Sequence, residues 1–396
     1  PRWCRLIVWA AVAFAADGEG NGPFPGVFDH PPALQYRVAL PGGRLNAATH
    51  SEWSSPLLVG DWVVVGSAAG QAMYALSRRD GTLVRTFPAD ASVESPAAVR
   101  GSKVVFSDSG GNTWCYDLDG TLVWRHDGNA PVLVAPTIDP DGKVAIVGNV
   151  DDLAVALDLS TGALVWQYQA KRDATRQAEL SLFAAPRPAI VDGKVYLGFS
   201  SGTLVAVDLA TGEEQWKRSV GEGRYPDLVS DPVVSGNDVY ASGYFKPLVA
   251  VDLPTHNVRW RVDAGAARSP TLIDGADGSK VLIHPGSDGT LRAIATLTGA
   301  ELWRWSSGTS GALTSPVVTP AGLVVGSSAG SIYLVDPATG DELWRWHEPY
   351  LLQGLSSEPA VEGRQLVFTS NAGFLYSLLA PLPSPSEPAR RVRSPL

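Results

Sequence analysis

The sequence contains few of the residues that commonly carry covalent or metal chemistry. Among its 396 residues are two cysteines, Cys4 and Cys115, which lie far apart, and six dispersed histidines. The histidines lack the spacing of metal ligands, and no Gly-x-Ser-x-Gly motif is present to carry a nucleophilic serine. We therefore predict no catalytic residue, no metal site and no cofactor, and we expect the protein not to be an enzyme.

Basic residues are also too few to form an extended positive surface. Lysine and arginine together number 31, against 40 aspartates and glutamates, which gives a net charge of −9. Nucleic acids and anionic lipids are bound by basic patches, and the body of the chain has none. We expect neither of them to be a partner.

No apolar run is long enough to cross a bilayer. The longest candidate, Leu6–Phe14, is shorter than the roughly 20 residues needed for about 30 Å of hydrocarbon. Two arginines precede this run and two alanines follow it, which is typical of a secretory signal peptide. Residues 1–16 therefore predict export, with a periplasmic or secreted mature protein. A buried segment and a fragment of a longer start are the alternatives.

Glycine and proline, in contrast, are abundant, with 41 and 30 residues, and indicate many turns. A proline followed by a short apolar strand recurs about every 43 residues, which is the length of a four-stranded propeller blade. We expect residues 17–33 to be a flexible lead and the Pro-rich residues 381–396 a disordered tail. The recurring prolines are Pro56, Pro96, Pro136, Pro188, Pro232, Pro270, Pro316 and Pro359.

One unit shows the internal pattern of all of them. After its proline and first strand come a strand at Lys194–Gly198, another at Thr203–Asp208, a Thr-Gly turn and a last strand that contains Trp216. Four short strands joined by tight turns predict one blade. A hairpin cannot bury a tryptophan alone, so we predict that this residue docks each blade on the next. The first unit has Arg85 there, and the others have Trp124, Trp166, Trp216, Trp260, Trp303 and Trp344.

The two ends of the repeat complement each other. The last unit stops after its third strand, Phe374–Leu379, and the segment Leu34–Val38 before the first unit resembles the missing fourth strand. We therefore predict an all-β fold over residues 34–380. It is an eight-bladed β-propeller of four-stranded antiparallel blades, with the last blade closed by the N-terminal strand. An open β-solenoid or two separate β domains are the alternatives.

Some copies depart from the pattern without indicating a site. His256 stands where the turn has glycine, and we expect Asn257 to take the left-handed conformation instead. The acidic clusters Asp139–Gly142 and Asp274–Gly278 fall between strands, so we interpret them as hairpin turns and not as calcium sites.

The pattern Ala-x-Asp-x-x-Thr-Gly-x-x-x-Trp, present at Ala206–Trp216 and at Ala156–Trp166, resembles the repeat of the pyrroloquinoline quinone propeller superfamily. Within it the chain is similar to the outer-membrane assembly factor BamB-like proteins. That resemblance implies a non-catalytic, exported interaction scaffold, a monomer within a complex that docks on the insertase BamA. A quinone-dependent quinoprotein and a propeller that senses a small molecule or glycan are the alternatives. The chain departs from the family in having no lipid-attachment cysteine after Leu6–Phe14.

The longest interval between repeat prolines contains an irregular insertion, Gln167–Arg187. Cations and apolar residues occur in it together, as they do at protein interfaces. We predict that it binds a partner, although its apolar residues could equally form a small core under the loop. The predicted partner-binding residues are Lys171, Arg172, Arg176, Leu180, Leu182 and Phe183.

Overall fold

A computed structural model of the chain describes residues 31–42, 52–171, 186–223, 225–244, 247–266, 268–275, 277–347 and 354–380. Every helix or strand assigned within these ranges is a β-strand, and together the strands form eight sheets of four strands each. The predicted signal peptide, residues 17–30 of the predicted lead and the predicted tail lie outside the described residues.

The strands are numbered in chain order. The chain begins with β1 (Ala33–Ala39), and the first two blades contain β2 (Leu57–Val59), β3 (Trp62–Ser67), β4 (Ala72–Ser77), β5 (Leu83–Pro88), β6 (Ala98–Arg100), β7 (Lys103–Ser107), β8 (Thr113–Asp117) and β9 (Leu122–His126). The next two contain β10 (Thr137–Ile138), β11 (Val144–Gly148), β12 (Leu153–Asp158), β13 (Leu164–Gln169), β14 (Ala189–Val191), β15 (Lys194–Gly198), β16 (Thr203–Asp208) and β17 (Glu214–Ser219). Blades five and six contain β18 (Val233–Ser235), β19 (Asp238–Ser242), β20 (Leu248–Asp252), β21 (Asn257–Val262), β22 (Thr271–Asp274), β23 (Lys280–Pro285), β24 (Thr290–Ala295) and β25 (Glu301–Ser306). The last two contain β26 (Val317–Thr319), β27 (Gly322–Ser327), β28 (Ser331–Val335), β29 (Glu342–His347), β30 (Ala360–Glu362), β31 (Gln365–Thr369) and β32 (Phe374–Leu379).

Seven of the sheets are antiparallel meanders of four consecutive strands. In the eighth, the order β1-β32-β31-β30 places the N-terminal strand outermost. Strand β1 pairs antiparallel with β32, from Ala33 opposite Leu379 to Ala39 opposite Phe374. The predicted fold class, eight four-stranded antiparallel blades with the last closed by the N-terminal strand, is confirmed.

The blades are arranged as a ring. First strands of neighbouring blades contact each other, so these short strands surround the central axis. The second and third strands are almost completely buried, whereas the fourth strands alternate between exposed and buried residues because they form the outer wall. The apolar core lies between blades. One cluster, for example, joins Leu334 and Trp344 of the seventh blade to Phe368 and Leu378 of the eighth.

The fourth-strand tryptophans lie at these interfaces. Trp166 Nε1 donates a hydrogen bond to the Leu209 carbonyl of the next blade at 2.8 Å. A Cβ atom at Gly212 would lie 2.7 Å from the Trp166 indole, so the Thr-Gly turn needs glycine both for this contact and for its positive φ of 73°. Other hydrogen bonds of this kind join Trp124 to Leu159, Trp260 to Thr296 and Trp303 to Pro337.

The turn after β20 corrects one expectation. His256, not Asn257, takes the left-handed conformation, with φ of 57°, and Asn257 begins β21. The prediction for Asn257 was wrong because the histidine ring gains a contact there. It stacks on Trp216 of the preceding blade at a centroid distance of 5.0 Å, where other blades place the glycine against the indole. That stacking offsets the strain of a positive φ at a residue other than glycine.

Candidate functional site

Of the predicted partner-binding residues, only Lys171 lies among the described residues, where it is exposed two residues after the end of β13. Arg172, Arg176, Leu180, Leu182 and Phe183 lie outside the described residues. The insertion that contains them joins the outer strand of the third blade to the inner strand of the fourth. Its far end is Arg187, two residues before β14.

The position occupied by Arg187 recurs in every blade, two residues before the first strand, and we call it the ring position. Seven of its eight occupants line a single cavity at one mouth of the central channel. Backbone N–H groups here donate to side chains of the next blade, from Asp231 to Ser269 Oγ at 2.9 Å and from Glu358 to Ser55 Oγ at 2.8 Å. The occupants are Ser55, Pro96, Ala135, Arg187, Asp231, Ser269, Ser315 and Glu358.

Arg187 and Asp231 form an ion pair at the ring position. The Arg187 backbone N–H donates to Asp231 Oδ1 at 2.7 Å, and its Nε lies 3.2 Å from Oδ2. The carboxylate raises the pKa of Arg187, and the nearby charge of Glu358 acts in the same direction. The Arg187 side chain still remains 49% exposed toward the cavity. This pair therefore presents a fixed cation at the channel mouth.

A second arginine enters the mouth from the residue before the ring position, which we call the clasp position. In the fifth blade, for instance, Ser230 Oγ at this position accepts the Ser242 backbone N–H at 2.8 Å. In the sixth blade Arg268 replaces the hydroxyl residue, and Pro285, which has no N–H, replaces the donor. The Arg268 guanidinium instead donates to the Ser356 carbonyl of the eighth blade's connector at 3.1 Å. Burial lowers the pKa of Arg268, while Glu358 and Asp231 act in the opposite direction.

The cavity between these groups has a volume of about 180 Å³ and two chemically different halves. Blades four, five, six and eight contribute Arg187, Asp231, Arg268 and Glu358. Blades one to three contribute an apolar wall that includes Trp53, which is 46% exposed, and Leu133. The arrangement can therefore bind a group that has both an apolar and a charged part.

Behind Arg268 lies a buried histidine that the sequence analysis did not single out. His284 is completely buried, at a position in the second strand that the other blades fill with apolar residues such as Val65 and Phe106. Its Nε2 lies 3.2 Å from the Gly265 carbonyl, in the connector that leads to Arg268. Burial lowers the pKa of His284 to about 4.

No group of three or more His, Cys, Asp or Glu side chains within the described ranges is arranged to hold a metal ion. Cys115 is buried in β8, and burial raises the pKa of its thiol to about 12. The two acidic clusters of the sequence analysis occupy turns. Asp139 Oδ1 accepts the Lys143 and Val144 backbone N–H groups, and Asp277 caps Ser279.

The channel residues were missed because the sequence analysis aligned the repeat on proline and tryptophan alone. A signal was nevertheless present. The residue just before the repeat proline is Ser or Ala in five units and changes to Arg187, Asp231 or Glu358 in the other three, and Arg268 stands one residue earlier in the sixth unit. Charged residues at a position where the repeat has small ones would have indicated this cavity.

The fold and its interfaces define an eight-bladed repeat propeller with tryptophan-docked blades. A sequence model of the family described as "Outer membrane protein assembly factor BamB" matches residues 37–187, 69–277 and 287–380, well over half of the chain. The chain belongs to this family. The overlap of the first two matches reflects the internal repeat, since one stretch of chain can be aligned in more than one register.

Individual relatives share only part of their sequence with this chain. The assembly factor BamB of Yersinia pestis is 29% identical over 189 residues, which is 46% of each chain. The quinohemoprotein alcohol dehydrogenase ADH-IIG of Pseudomonas putida is 32% identical over 136 residues, 32% of this chain and 18% of that protein. The crystal structure of BamB from Moraxella catarrhalis superposes with a TM-score of 0.73 at 20% identity, covering 88% of this chain and 100% of that one.

The matched segment spans about half the length of the first of these relatives. None of the described residues forms a helix with the length and apolar content needed to cross a membrane.

Proposed function

We propose that the protein is a non-catalytic interaction platform in the assembly of outer-membrane proteins, and that its partner binds on the face of the ring that contains the channel mouth. Family membership supports a role in outer-membrane protein assembly, because the family is that of the assembly factor BamB. The insertion supports the choice of this binding face, because it ends at Arg187, which occupies the ring position at the channel mouth. A closed ring with inter-blade cores is also a rigid support for loops that bind a partner.

The partner that this family implies is the outer-membrane insertase BamA, on the periplasmic side of the membrane. We propose that the apolar residues of the insertion provide the buried anchor of the interface and that its cations orient the partner. Lys171, the described member of the cation set, is exposed as this requires. The chain then acts as a monomer within a complex, in the periplasm.

The decisive experiment changes Leu180, Leu182 and Phe183 together to Ser. Capture of the insertase from a membrane extract by crosslinking, read by mass spectrometry, should be lost, and the melting temperature should stay within a few degrees of the original. The matched control changes the exposed rim residues Leu164, Leu302 and Leu343 to Ser. These are 50%, 56% and 49% exposed, on the outer wall. Capture should survive in the control.

Reversing the charges of Lys171, Arg172 and Arg176 should instead weaken capture, most strongly at low ionic strength, because exposed charges are screened by salt. Equal recovery of the insertase with the triple Ser variant would remove the insertion from the interface. A large fall in melting temperature would assign those residues to a small core instead.

The non-catalytic part of the proposal is tested separately, because the relatives include a quinohemoprotein dehydrogenase. The protein is incubated with pyrroloquinoline quinone and calcium, and dye-linked alcohol oxidation is followed. We expect no turnover above a control without protein. Turnover that saturates with quinone would contradict the proposal in favour of a quinoprotein.

A further inference from the structure

We propose that the cavity at the channel mouth is a binding site for a carboxylate carried on an apolar body, such as the C-terminal residue of a polypeptide or a small organic acid. This inference goes beyond the proposed docking function and does not depend on it. It rests on the residues that line the channel and not on the insertion.

The charged residues are not needed to build the ring. At the ring position, four of the other five blades have Ser or Ala, and at the clasp position most blades have Ser or Thr, and all of them form the same strands. Arg268 lies in the channel wall, where the Ser356 carbonyl and the charges of Glu358 and Asp231 compensate its own charge. The repeat itself therefore does not account for Arg187 and Arg268.

The lining offers hydrogen-bond donors to an anion. A guanidinium group has five N–H donors in a planar fork that matches a carboxylate. Arg187 uses its Nε on Asp231, and its side chain is still 49% exposed toward the cavity. Asp231 already accepts two hydrogen-bond or ion-pair contacts from Arg187. Glu358 also lines the cavity, so the lining contains two guanidinium groups and two carboxylates. A carboxylate ligand would bind on the side of the two guanidinium groups, and the comparison of acid with amide tests whether it does.

The opposite wall defines the rest of the ligand. Trp53, Pro96, Leu133 and Val134 form a largely apolar surface across the cavity from the arginines. The volume of about 180 Å³ is smaller than the roughly 300 to 1,000 Å³ of pockets for drug-sized molecules. The space therefore suits one group about the size of an amino acid, with its apolar part against Trp53 and its carboxylate toward Arg187 and Arg268.

Calorimetric titration of the full chain tests this assignment. The probes are N-acetyl-phenylalanine, its C-terminal amide, and a heptapeptide that ends in phenylalanine with a free carboxylate. We expect the acid to bind at least about tenfold more tightly than the amide, because the amide lacks the charge that the arginines recognise. Tighter binding of the peptide than of the small acid would identify a polypeptide end as the source, and the reverse would identify a small organic acid.

Two variants separate the halves of the site. Arg268→Gln should abolish the preference for the acid over the amide, whereas Trp53→Ala should weaken both probes alike. Arg261→Gln, which removes an arginine paired with Glu222 on another connector, should change neither affinity. Melting temperatures of the variants show whether each is folded. A loss of binding by a folded variant is then caused by the change at the site and not by unfolding.

Failure to bind either probe at millimolar concentration would overturn the proposal. Equal affinity for acid and amide would also overturn it, as would an unchanged preference in Arg268→Gln. None of these results depends on capture of the insertase, so the site and the docking function can fail independently.

Discussion

The tryptophans of the fourth strands are single residues that join two blades, and their loss should be measurable. Trp216 is 8% exposed and stacks on His256 of the next blade. Trp216→Ala should lower the free energy of unfolding by about 3 to 5 kcal/mol, because a large buried side chain leaves a cavity that the sheets cannot fill. Urea denaturation measures the change. Gln215→Ala, at the exposed neighbouring residue, should alter it by less than about 0.5 kcal/mol.

Arg85 provides a comparison at the equivalent position of the first blade. Its aliphatic part lies against the turn at Gly120, and its Nε is buried without a hydrogen-bond partner. Arg85→Ala should therefore destabilise the fold far less than Trp216→Ala, since removing an unsatisfied polar group offsets part of the lost packing. A loss as large as that of Trp216→Ala would show that the packing of the stem alone stabilises this interface.

His284 should make the stability depend on pH. Its pKa is about 4 in the folded protein and about 6.5 in an unfolded chain, so between these values the unfolded state binds the additional proton. Stability should therefore fall as the pH decreases from about 6.5 to about 4, by roughly 3 kcal/mol in all. Two charged groups act on the His284 imidazole. Arg292 disfavours its protonated form, and Asp288 favours it.

The control for this prediction is His284→Val, since Val65 occupies the same place in the first blade. Urea midpoints measured from pH 7 to pH 4 should show a shallower decline for the variant. Parallel curves for the two proteins would mean that other groups cause the acid sensitivity.

Single residues also show where reading the sequence succeeds and where it fails. The tryptophans and the Thr-Gly turns were predictable because each repeats at a fixed spacing. Arg268 and His284 were visible only as departures from the repeat, and their surroundings were not predictable because a channel wall and a buried interface are formed only when distant units meet. The error at Asn257 arose because local turn preference favours Asn in the left-handed conformation, whereas stacking on Trp216 decides in favour of His256.

Among the strands, β1 has the clearest separate role, because it belongs to the first part of the chain and completes the last blade. Besides its pairing with β32, it contributes Gln35 to a polar network in which Gln365 Nε2 donates to Ser377 Oγ at 2.8 Å and to the Arg78 carbonyl at 2.7 Å. Ser377 Oγ in turn lies 2.9 Å from Gln35 Oε1. This network joins the eighth blade to the first.

Removing Leu34–Leu40 should open this seam. The deletion exposes the edge of β32 and the apolar surface covered by Leu40, which is 1% exposed. Unpaired strand edges promote aggregation, so the variant should melt at a lower temperature and aggregate on heating. Thermal unfolding with light scattering measures both. Deleting residues 384–396 is the control and should change neither, and unchanged melting of the β1 deletion would place the closure elsewhere.

At the level of elements, the strands were predictable because each is a short apolar run between turn residues. The pairing of β1 with β32 was predictable only because one end lacks a strand that the other end has in excess. The insertion offered no repeat to compare with, so its composition indicated an interface without indicating a geometry.

The whole molecule is a ring of similar interfaces, of which one differs in its connectivity. Every blade but the eighth is continuous in sequence, and the chain crosses from the eighth blade to the first only between β1 and β2. The ring is therefore closed by the chain itself, and the ends cannot separate without breaking the β1–β32 pairing.

A circular permutant tests how much this closure contributes. Because Ala33 lies opposite Leu379, a Thr-Gly turn of the kind used by the other blades can join these two residues, with new termini placed between β1 and β2. All eight blades are then continuous, but the ring is closed only by the contacts between the eighth and first blades. We expect the permutant to keep the β-sheet circular dichroism spectrum and to melt several degrees lower, because opening the ring no longer requires a strand to leave its sheet. At increasing concentration the permutant should also form oligomers through the open interface. A melting temperature equal to or above that of the original chain would mean that the interfaces alone stabilise the ring and that the position of β1 matters only for its pairing.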